Sequence, residues 1–250
     1  MRIFKSFLTV AAFLVTGLFA ANSLAELKDY DVMTETYPPY NFKQSGQLKG
    51  IAVEMLLAAS QKGELGLSRD DIRLLPWARG YQNVQEQPGS MLFSTTRTES
   101  REDLFRWAGP ITETSVALIA RKGADLSFEN QSDYASPTIA VVRDDVAESL
   151  VRDKGAQDNN LDVTSRPEPA MRKLAAGRVD AWAYEANVAF WLLNSEDYDT
   201  DNYEVVDVLS ESELFYAFHK DTPDKVVDSL QDALDALSEK ERDKILDQYL

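Results

Sequence analysis

The sequence contains no cysteine and a single histidine, His219. Without thiols the chain can form no disulfide, no thiolate metal site, no iron–sulfur cluster and no cysteine nucleophile. One histidine cannot build a multi-histidine metal site, and a histidine-based catalytic triad would have to use that residue. We expect His219, at the end of a strand, to be structural. We predict no bound metal, no cofactor and no catalytic residue.

Basic residues are also scarce. The 250 residues include 26 Lys and Arg against 42 Asp and Glu, which gives a net charge of −16. A protein that coats nucleic acid or lies on an anionic membrane needs a basic face, so neither partner is expected. The hydrophobic fraction of 44% is ordinary for a chain with a real core. The length predicts one or two domains.

The first 25 residues predict a cleavable secretory signal peptide. Arg2 and Lys5 form a basic start, an apolar run covers 7–21, and Ser23 and Ala25 provide the small residues before a cut. The alternative is an uncleaved membrane anchor, but the run is shorter than the ~20 residues that a span needs. No cysteine stands at the cut, so a bacterial lipid anchor is excluded. The mature chain is expected to be soluble and exported.

Strand-length and helix-length segments alternate along the mature chain, which predicts parallel sheets with helices on both faces. The predicted strands are 30–33, 72–75, 91–94, 115–120, 138–142, 161–163, 179–184, 205–209 and 214–218. The predicted helices are 50–62, 80–87, 145–154, 168–176, 185–193, 224–237 and 241–249. Two strand–helix series, near 26–115 and 120–210, suggest two α/β units joined by extended strands near 113–119 and 211–218.

Unusual polar and aromatic residues follow the predicted strands, where the cleft of an open parallel sheet lies. Hydroxyls and guanidinium groups beside a helix start suit a carboxylate or another anion, and a buried glutamate suits a cation or a donor. We predict ligand contacts from Tyr37, Tyr40, Trp77, Arg79, Ser94, Thr96, Arg97, Arg101, Arg143 and Glu185.

Each of these predictions has an alternative without a ligand. The aromatic residues could belong to the core, and Trp77 with Arg79 could form a surface stack. Arg97 and Arg101 could pair with nearby acids on a solvated face, which contributes little stability. Glu185 could be an N-terminal helix residue that complements the helix dipole.

Several motifs resemble those of the bacterial extracellular solute-binding proteins of the polar amino-acid type, the periplasmic receptors of ABC importers. The segments 37–42 (YPPYNF) and 50–54 (GIAVE) are similar to the family's aromatic loop and first helix. The segments 94–101 (STTRTESR) and 105–111 (FRWAGPI) are similar to its carboxylate-binding signature. The segments 174–181 (LAAGRVDA) and 216–220 (YAFHK) look like its second-lobe motif and returning hinge strand.

The resemblance implies an α/β, two-lobed periplasmic-binding-protein fold of type II. Each lobe would be a mostly parallel sheet flanked by helices, and two strands would form the hinge. The first lobe would comprise 26–114 and 215–250, and the second 115–214. The protein would be a periplasmic monomer whose partners are a small-molecule ligand and the membrane subunits of an ABC importer.

The family pattern also implies roles for individual residues. Tyr37 and Trp77 would sandwich the ligand, Thr96 and Arg101 would hold its carboxylate, and Glu185 would receive its amine. The additional arginines, Arg79, Arg97 and Arg143, depart from a simple amino-acid site and suggest a more anionic ligand. We therefore expect a zwitterionic or anionic ligand, a polar amino acid or similar organic acid.

Two other functions stay open at this point, although we predict that the protein is not an enzyme. One is a cyclohexadienyl-dehydratase-like enzyme on the same fold, with Glu185 as general acid. The other is a soluble input subunit of a membrane sensor.

Overall fold

The structure is a computed structural model that describes residues 27–249. The predicted signal peptide therefore lies outside the described residues. The strands are β1 (Asp31–Thr34), β2 (Phe42–Gln44), β3 (Gln47–Lys49), β4 (Ile72–Leu74), β5 (Ser90–Thr96), β6 (Phe105–Arg121), β7 (Ile139–Val142), β8 (Leu161–Thr164), β9 (Ala181–Glu185) and β10 (Tyr203–His219). The helices are α1 (Ile51–Lys62), α2 (Trp77–Glu86), α3 (Val146–Asp153), α4 (Pro167–Ala175), α5 (Ala186–Ser195), α6 (Asp224–Asp235) and α7 (Glu239–Leu246). Within residues 27–249, no helix is long and apolar enough to cross a membrane.

Eight strands form one sheet in the order β4-β1-β5-β10-β6-β9-β7-β8. The pairs β4–β1 and β1–β5 are parallel, as are β9–β7 and β7–β8. The central strands β10 and β6 run antiparallel to each other and to their outer neighbours. We call β4, β1 and β5, the loops that follow them, and α1 and α2 the first half. We call β9, β7 and β8, the loops that follow them, and α3, α4 and α5 the second half. This α/β architecture, with a mostly parallel group of strands on each side, confirms the predicted fold class.

Strands β6 and β10 contain 17 residues each and pair along most of their length. The sequence predicts strands at 115–120, 205–209 and 214–218 and extended connecting strands near 113–119 and 211–218, but it does not predict the first half of β6, 105–112. The connecting segment is polar: Glu213 lies opposite Glu113, and Ser212 lies opposite Thr114. Backbone pairing between the two strands, rather than side-chain burial, continues the ladder through this segment.

Gly50 fixes the loop after β1 against the start of α1. Its φ angle is +121°, and a Cβ atom there would lie 2.3 Å from the backbone oxygen of Tyr40. The backbone N–H groups of Ile51 and Ala52 donate to the carbonyls of Pro39 and Tyr40, at 3.1 and 2.9 Å. Only glycine allows this close approach. The loop that carries Tyr37 and Tyr40 is therefore held in place by the helix beneath it.

Two strands are buried along their whole length. All seven residues of β5 and all four of β7 are buried, which is typical of parallel strands covered on both faces. Helix α2 begins three residues earlier than predicted, at Trp77, because Pro76 precedes it with φ −58° and ψ 140° and forms its N-cap. This start places the Trp77 side chain at the first turn, beside the second half.

Candidate functional site

The loop 37–41 after β1 is a tight turn closed by its own hydrogen bonds. The backbone N–H of Tyr37 donates to the carbonyl of Asn41 at 2.6 Å. The Asn41 side chain donates to the Glu35 carbonyl at 2.7 Å and accepts a hydrogen bond from the Ser94 hydroxyl. The Tyr37 and Tyr40 rings lie 5.5 Å apart. Ser94, a predicted site residue, thus supports the aromatic loop through Asn41.

Tyr40 and Glu185 join the two halves directly. The Tyr40 hydroxyl donates to Glu185 Oε1 at 3.0 Å, and the Asn187 amide donates to the Tyr40 oxygen at 3.2 Å. Glu185 ends β9 and caps α5, where its Oε2 accepts from the Val188 N–H at 2.7 Å. Only 1% of Glu185 is exposed, and burial raises the pKa of its carboxyl. Glu185 is therefore a residue at the N-terminus of a helix, as the alternative without a ligand stated. Contact between Glu185 and a ligand stays a prediction.

Arg101 and Trp77 form a second contact between the halves. Arg101 Nη2 and Trp77 Nε1 both donate to the backbone carbonyl of Asp144, at 3.0 and 2.9 Å. The guanidinium of Arg101 lies over the Tyr81 ring at 4.9 Å and the Trp77 ring at 5.6 Å. Arg101 is only 6% exposed and has no ion-pair partner within residues 27–249. A buried guanidinium bonded only to carbonyls can accommodate a carboxylate.

Thr96 lies beside Arg101, and Tyr37 lies against the second half. Thr96 is buried, and its backbone carbonyl accepts a hydrogen bond from Arg101 Nη1 at 3.4 Å. The Tyr37 ring packs edge-to-face on the Tyr184 ring with centroids 5.6 Å apart. The structure thus brings together six predicted site residues where the halves meet: Tyr37, Tyr40, Trp77, Thr96, Arg101 and Glu185.

The other three predicted arginines lie on the surface. Arg97 pairs with Glu102, with Nε 2.7 Å from Oε2, and its guanidinium stacks over Trp107 and Phe215. Arg97 therefore follows the alternative without a ligand, in which it pairs with a nearby acid on a solvated face. Arg79 lies on the first turn of α2 and Arg143 in the loop after β7, and both are exposed. They border one groove at the rim of the contact between the halves.

Three acids that the sequence analysis does not assign to the site are buried or half-buried where the halves meet. Glu35 is 5% exposed; burial raises the pKa of its carboxyl well above the ordinary value, and the charges of Asp145 and Glu168 raise it further. Burial raises the pKa of Asp145 from 3.8 to about 6, although it caps α3 by accepting from the Ala147 N–H. Glu35 and Asp145 both follow strands, which is the signal that could have identified them.

Glu168 lies on the first turn of α4, and its buried Oε2 has no hydrogen-bond partner among residues 27–249. The Tyr184 hydroxyl is also buried without a hydrogen-bond partner in this part of the chain. Burial raises the pKa of Tyr184 well above its ordinary value, and the charge of Glu35 is the next largest cause. A cavity of about 200 Å³ opens here, bordered by Glu35 and Glu168. No cluster of metal-ligating side chains occurs within residues 27–249.

Solved structures with the same fold are diverse. A histidine kinase sensor domain with similarity to periplasmic binding proteins superposes with a TM-score of 0.77 at 20% identity, over 88% of this chain and 96% of its own. The substrate binding protein of an amino acid ABC transporter gives 0.70 at 17% identity, over 88% and 98%. The arginine-, lysine-, histidine-binding protein ArtJ from the thermophilic bacterium Geobacillus stearothermophilus gives 0.68 at 18%, over 88% and 95%. At these identities the likeness concerns the fold alone.

Sequence comparison identifies the family. No curated protein sequence matches the chain. The family model for bacterial extracellular solute-binding proteins, family 3, matches residues 32–250, which covers the two halves of the sheet and every residue of the site described above. The chain belongs to family 3 of the bacterial extracellular solute-binding proteins.

Proposed function

We propose that this protein is a periplasmic receptor that captures a small zwitterionic solute between two hinged lobes and delivers it to an ABC importer. One observation carries the proposal. Arg101 from the first half and Glu185 from the second are buried side chains of opposite charge where the halves meet. A zwitterion carries the two complementary charges on one molecule, so it can bind both residues at once.

The lobes are proposed to be 26–114 with 215–250, and 115–214, so that the chain crosses between them in β6 and β10. In this structure the Tyr40 hydroxyl donates a hydrogen bond to Glu185, and the Asp144 carbonyl accepts one from Arg101. A hinge opening of β6 and β10 would separate both pairs and expose the two charges. The ligand's ammonium group would then replace the Tyr40 hydroxyl on Glu185, and its carboxylate would replace the Asp144 carbonyl on Arg101.

The remaining site residues would shape the pocket around these two charges. Tyr37 and Trp77 would cover the two faces of the ligand, and Thr96 would add a hydrogen bond to its carboxylate. The surface positions of Arg79, Arg97 and Arg143 support a zwitterionic rather than an anionic ligand. Import is supported by the family and by the likeness in fold to the substrate binding protein of an amino acid ABC transporter.

The test compares Arg101→Lys with Arg97→Lys by calorimetric titration of the twenty standard amino acids. Lysine keeps the charge of arginine but lacks its planar fork, so Arg101→Lys should weaken binding roughly 30- to 1,000-fold. Arg97→Lys, on the exposed face, should change the affinity less than about threefold. Circular dichroism checks that both variants fold. Equal small effects from the two changes, or no binding of any amino acid to the wild-type protein, would contradict the proposal.

A sensory role is the second candidate, and the likeness in fold to a histidine kinase sensor domain favours it. In that case the same ligand-driven closure would be read by a membrane signalling partner. Deleting the protein distinguishes the roles. Loss of radiolabelled solute uptake indicates import, whereas normal uptake with a lost transcriptional response indicates sensing.

An enzyme on this fold would use the raised pKa of Glu185 for proton transfer. The proposal instead expects prephenate and arogenate to remain unchanged after long incubation with the protein. Turnover that disappears in Glu185→Gln would support the enzyme.

A further inference from the structure

We propose that Phe42 and Trp191 form an aromatic latch between the two halves, outside the residues assigned to the ligand. The latch stabilises the contact between the halves and opposes their separation. Trp191 is thus a positioning residue: it retains a bound solute without touching it. This inference rests on one part of the proposed function, the hinge opening at β6 and β10, because a latch acts only on halves that can separate.

The latch joins the same two segments as the bond between Tyr40 and Glu185. Phe42 begins β2 just after the aromatic loop, and Trp191 lies on α5, the helix that Glu185 caps. The two ring centroids are 5.5 Å apart, and the ring planes form an angle of 51°. At about 1.5 Å per helical residue, Trp191 lies about 9 Å along the helix from Glu185. A ligand that replaces the Tyr40 hydroxyl on Glu185 therefore leaves the latch in place.

Contacts with α1 hold Phe42 in position. The Tyr249 ring packs edge-to-face on the Phe42 ring with centroids 6.0 Å apart, and the Tyr249 hydroxyl donates to Glu54 Oε1 of α1 at 3.4 Å. Arg69 donates two hydrogen bonds of 2.9 Å to the Glu54 carboxylate and another to the Leu48 carbonyl of β3. The hairpin β2–β3 is thus fixed to α1. Phe42 therefore loses little conformational freedom when the second half packs on it.

The burial of Phe42 depends on both halves. Phe42 is only 7% exposed, although its hairpin lies outside the eight-stranded sheet, and Trp191 from the second half packs against it. Separation of the halves returns apolar surface of both rings to water, which costs free energy roughly in proportion to the area exposed. An aromatic pair also contributes more than its buried area alone accounts for. The latch therefore favours contact between the halves, whichever solute is bound.

The experiment measures the separation of the halves directly. Because the sequence contains no cysteine, Gln61→Cys on α1 and Asn159→Cys in the second half give two unique and exposed labelling sites. Single-molecule fluorescence energy transfer then gives the ratio of molecules with the halves together to molecules with the halves apart. Trp191→Ala should lower this ratio about tenfold, which corresponds to about 1.4 kcal/mol. Trp191→Phe keeps an aromatic ring and should stay within about threefold of the wild type.

Further variants show whether the effect comes from this contact. Val163→Ala, on β8 at the edge of the sheet, is the matched control: Val163 and Trp191 are both 37% exposed, and the ratio should not change. Phe42→Leu should also lower the ratio, and its combination with Trp191→Ala should add little, because both changes remove one contact. Circular dichroism checks that each variant folds. A change of less than about threefold in Trp191→Ala, or additive effects of the two changes, overturns the latch.

The failure of this inference can be told from the failure of the proposed function. If the wild-type protein binds an amino acid and its halves separate, but Trp191→Ala leaves the ratio unchanged, only the latch is overturned. A single separation of the labels that is the same in the wild type, in Trp191→Ala and with each of the twenty standard amino acids would overturn both.

Discussion

Protonation of Asp145 should control how stable the ligand-free protein is. Asp145 is 8% exposed and lies where the halves meet, next to the Asp144 carbonyl that binds Trp77 and Arg101. Burial raises the pKa of its carboxyl from 3.8 to about 6, and the Ala147 N–H and the charge of Arg101 offset only part of this effect. Asparagine at this position keeps a side-chain oxygen for the Ala147 N–H but cannot ionise.

The magnitude follows from the two pKa values. One pKa unit corresponds to about 1.4 kcal/mol, so the difference between 3.8 and about 6 corresponds to about 3 kcal/mol. Between these values the folded state binds more protons than the unfolded state, so the contribution of Asp145 to stability falls as the pH rises. Asp145→Asn should therefore match the wild type near pH 4 and exceed its free energy of unfolding by up to about 3 kcal/mol at pH 7.

Urea denaturation of both proteins without ligand, from pH 4 to pH 8, measures this difference. Low protein concentration is needed near the isoelectric point of about 4.5. Asp201→Asn, in the exposed turn Thr200–Asn202, is the control and should change stability by less than about 0.5 kcal/mol. A gain at pH 7 of less than about 0.5 kcal/mol over the value at pH 4 would refute the reasoning. It would mean that Asp145 is hydrated in the ligand-free protein.

Two further predictions concern the aromatic loop and its contacts, and both are measured by urea denaturation. Gly50→Ala should destabilise the protein by about 2–4 kcal/mol, because a Cβ atom would meet the Tyr40 carbonyl. Gly46→Ala, where φ is also positive but no atom of residues 27–249 lies within 4 Å of the added Cβ, should cost only about 1 kcal/mol, and equal losses would contradict the clash. Tyr40→Phe should lower the free energy of unfolding by about 1–2 kcal/mol through loss of the bond to Glu185, and an unchanged stability would mean that the halves are apart in solution.

Apolar patterning predicted most strands and helices, because burial and periodicity are local properties of the sequence. It missed the first half of β6, 105–112, where buried and exposed residues do not alternate and Gly109 and Pro110 interrupt the apolar residues. It also missed the hairpin β2–β3. The turn residues Ser45 and Gly46 have φ angles of 52° and 82°, and a serine–glycine pair is a weaker signal for such a turn than asparagine–glycine.

The candidate site was predictable in part, because the carboxyl end of a strand can be located from the sequence. Glu185 and Arg101 were found by that rule. The same rule also selected Arg79 and Arg143, which follow strand ends but point to the surface. Whether such a residue is buried depends on the opposite half of the molecule, more than 100 residues away in the case of Glu35 and Glu168. A single sequence does not contain that pairing.

The buried acids give the proposed closure a physical cause. With the halves in contact and no ligand present, Glu35, Asp145 and Glu185 all lose hydration, and burial raises the pKa of each of them. At neutral pH this loss of hydration opposes contact between the halves. A zwitterionic ligand contacts Arg101 and Glu185 at once only when the halves are together, and a ligand shifts a conformational equilibrium only by its differential affinity for the two states. The acids would therefore weaken the contact between the halves at neutral pH, and ligand binding would offset that cost and favour closure.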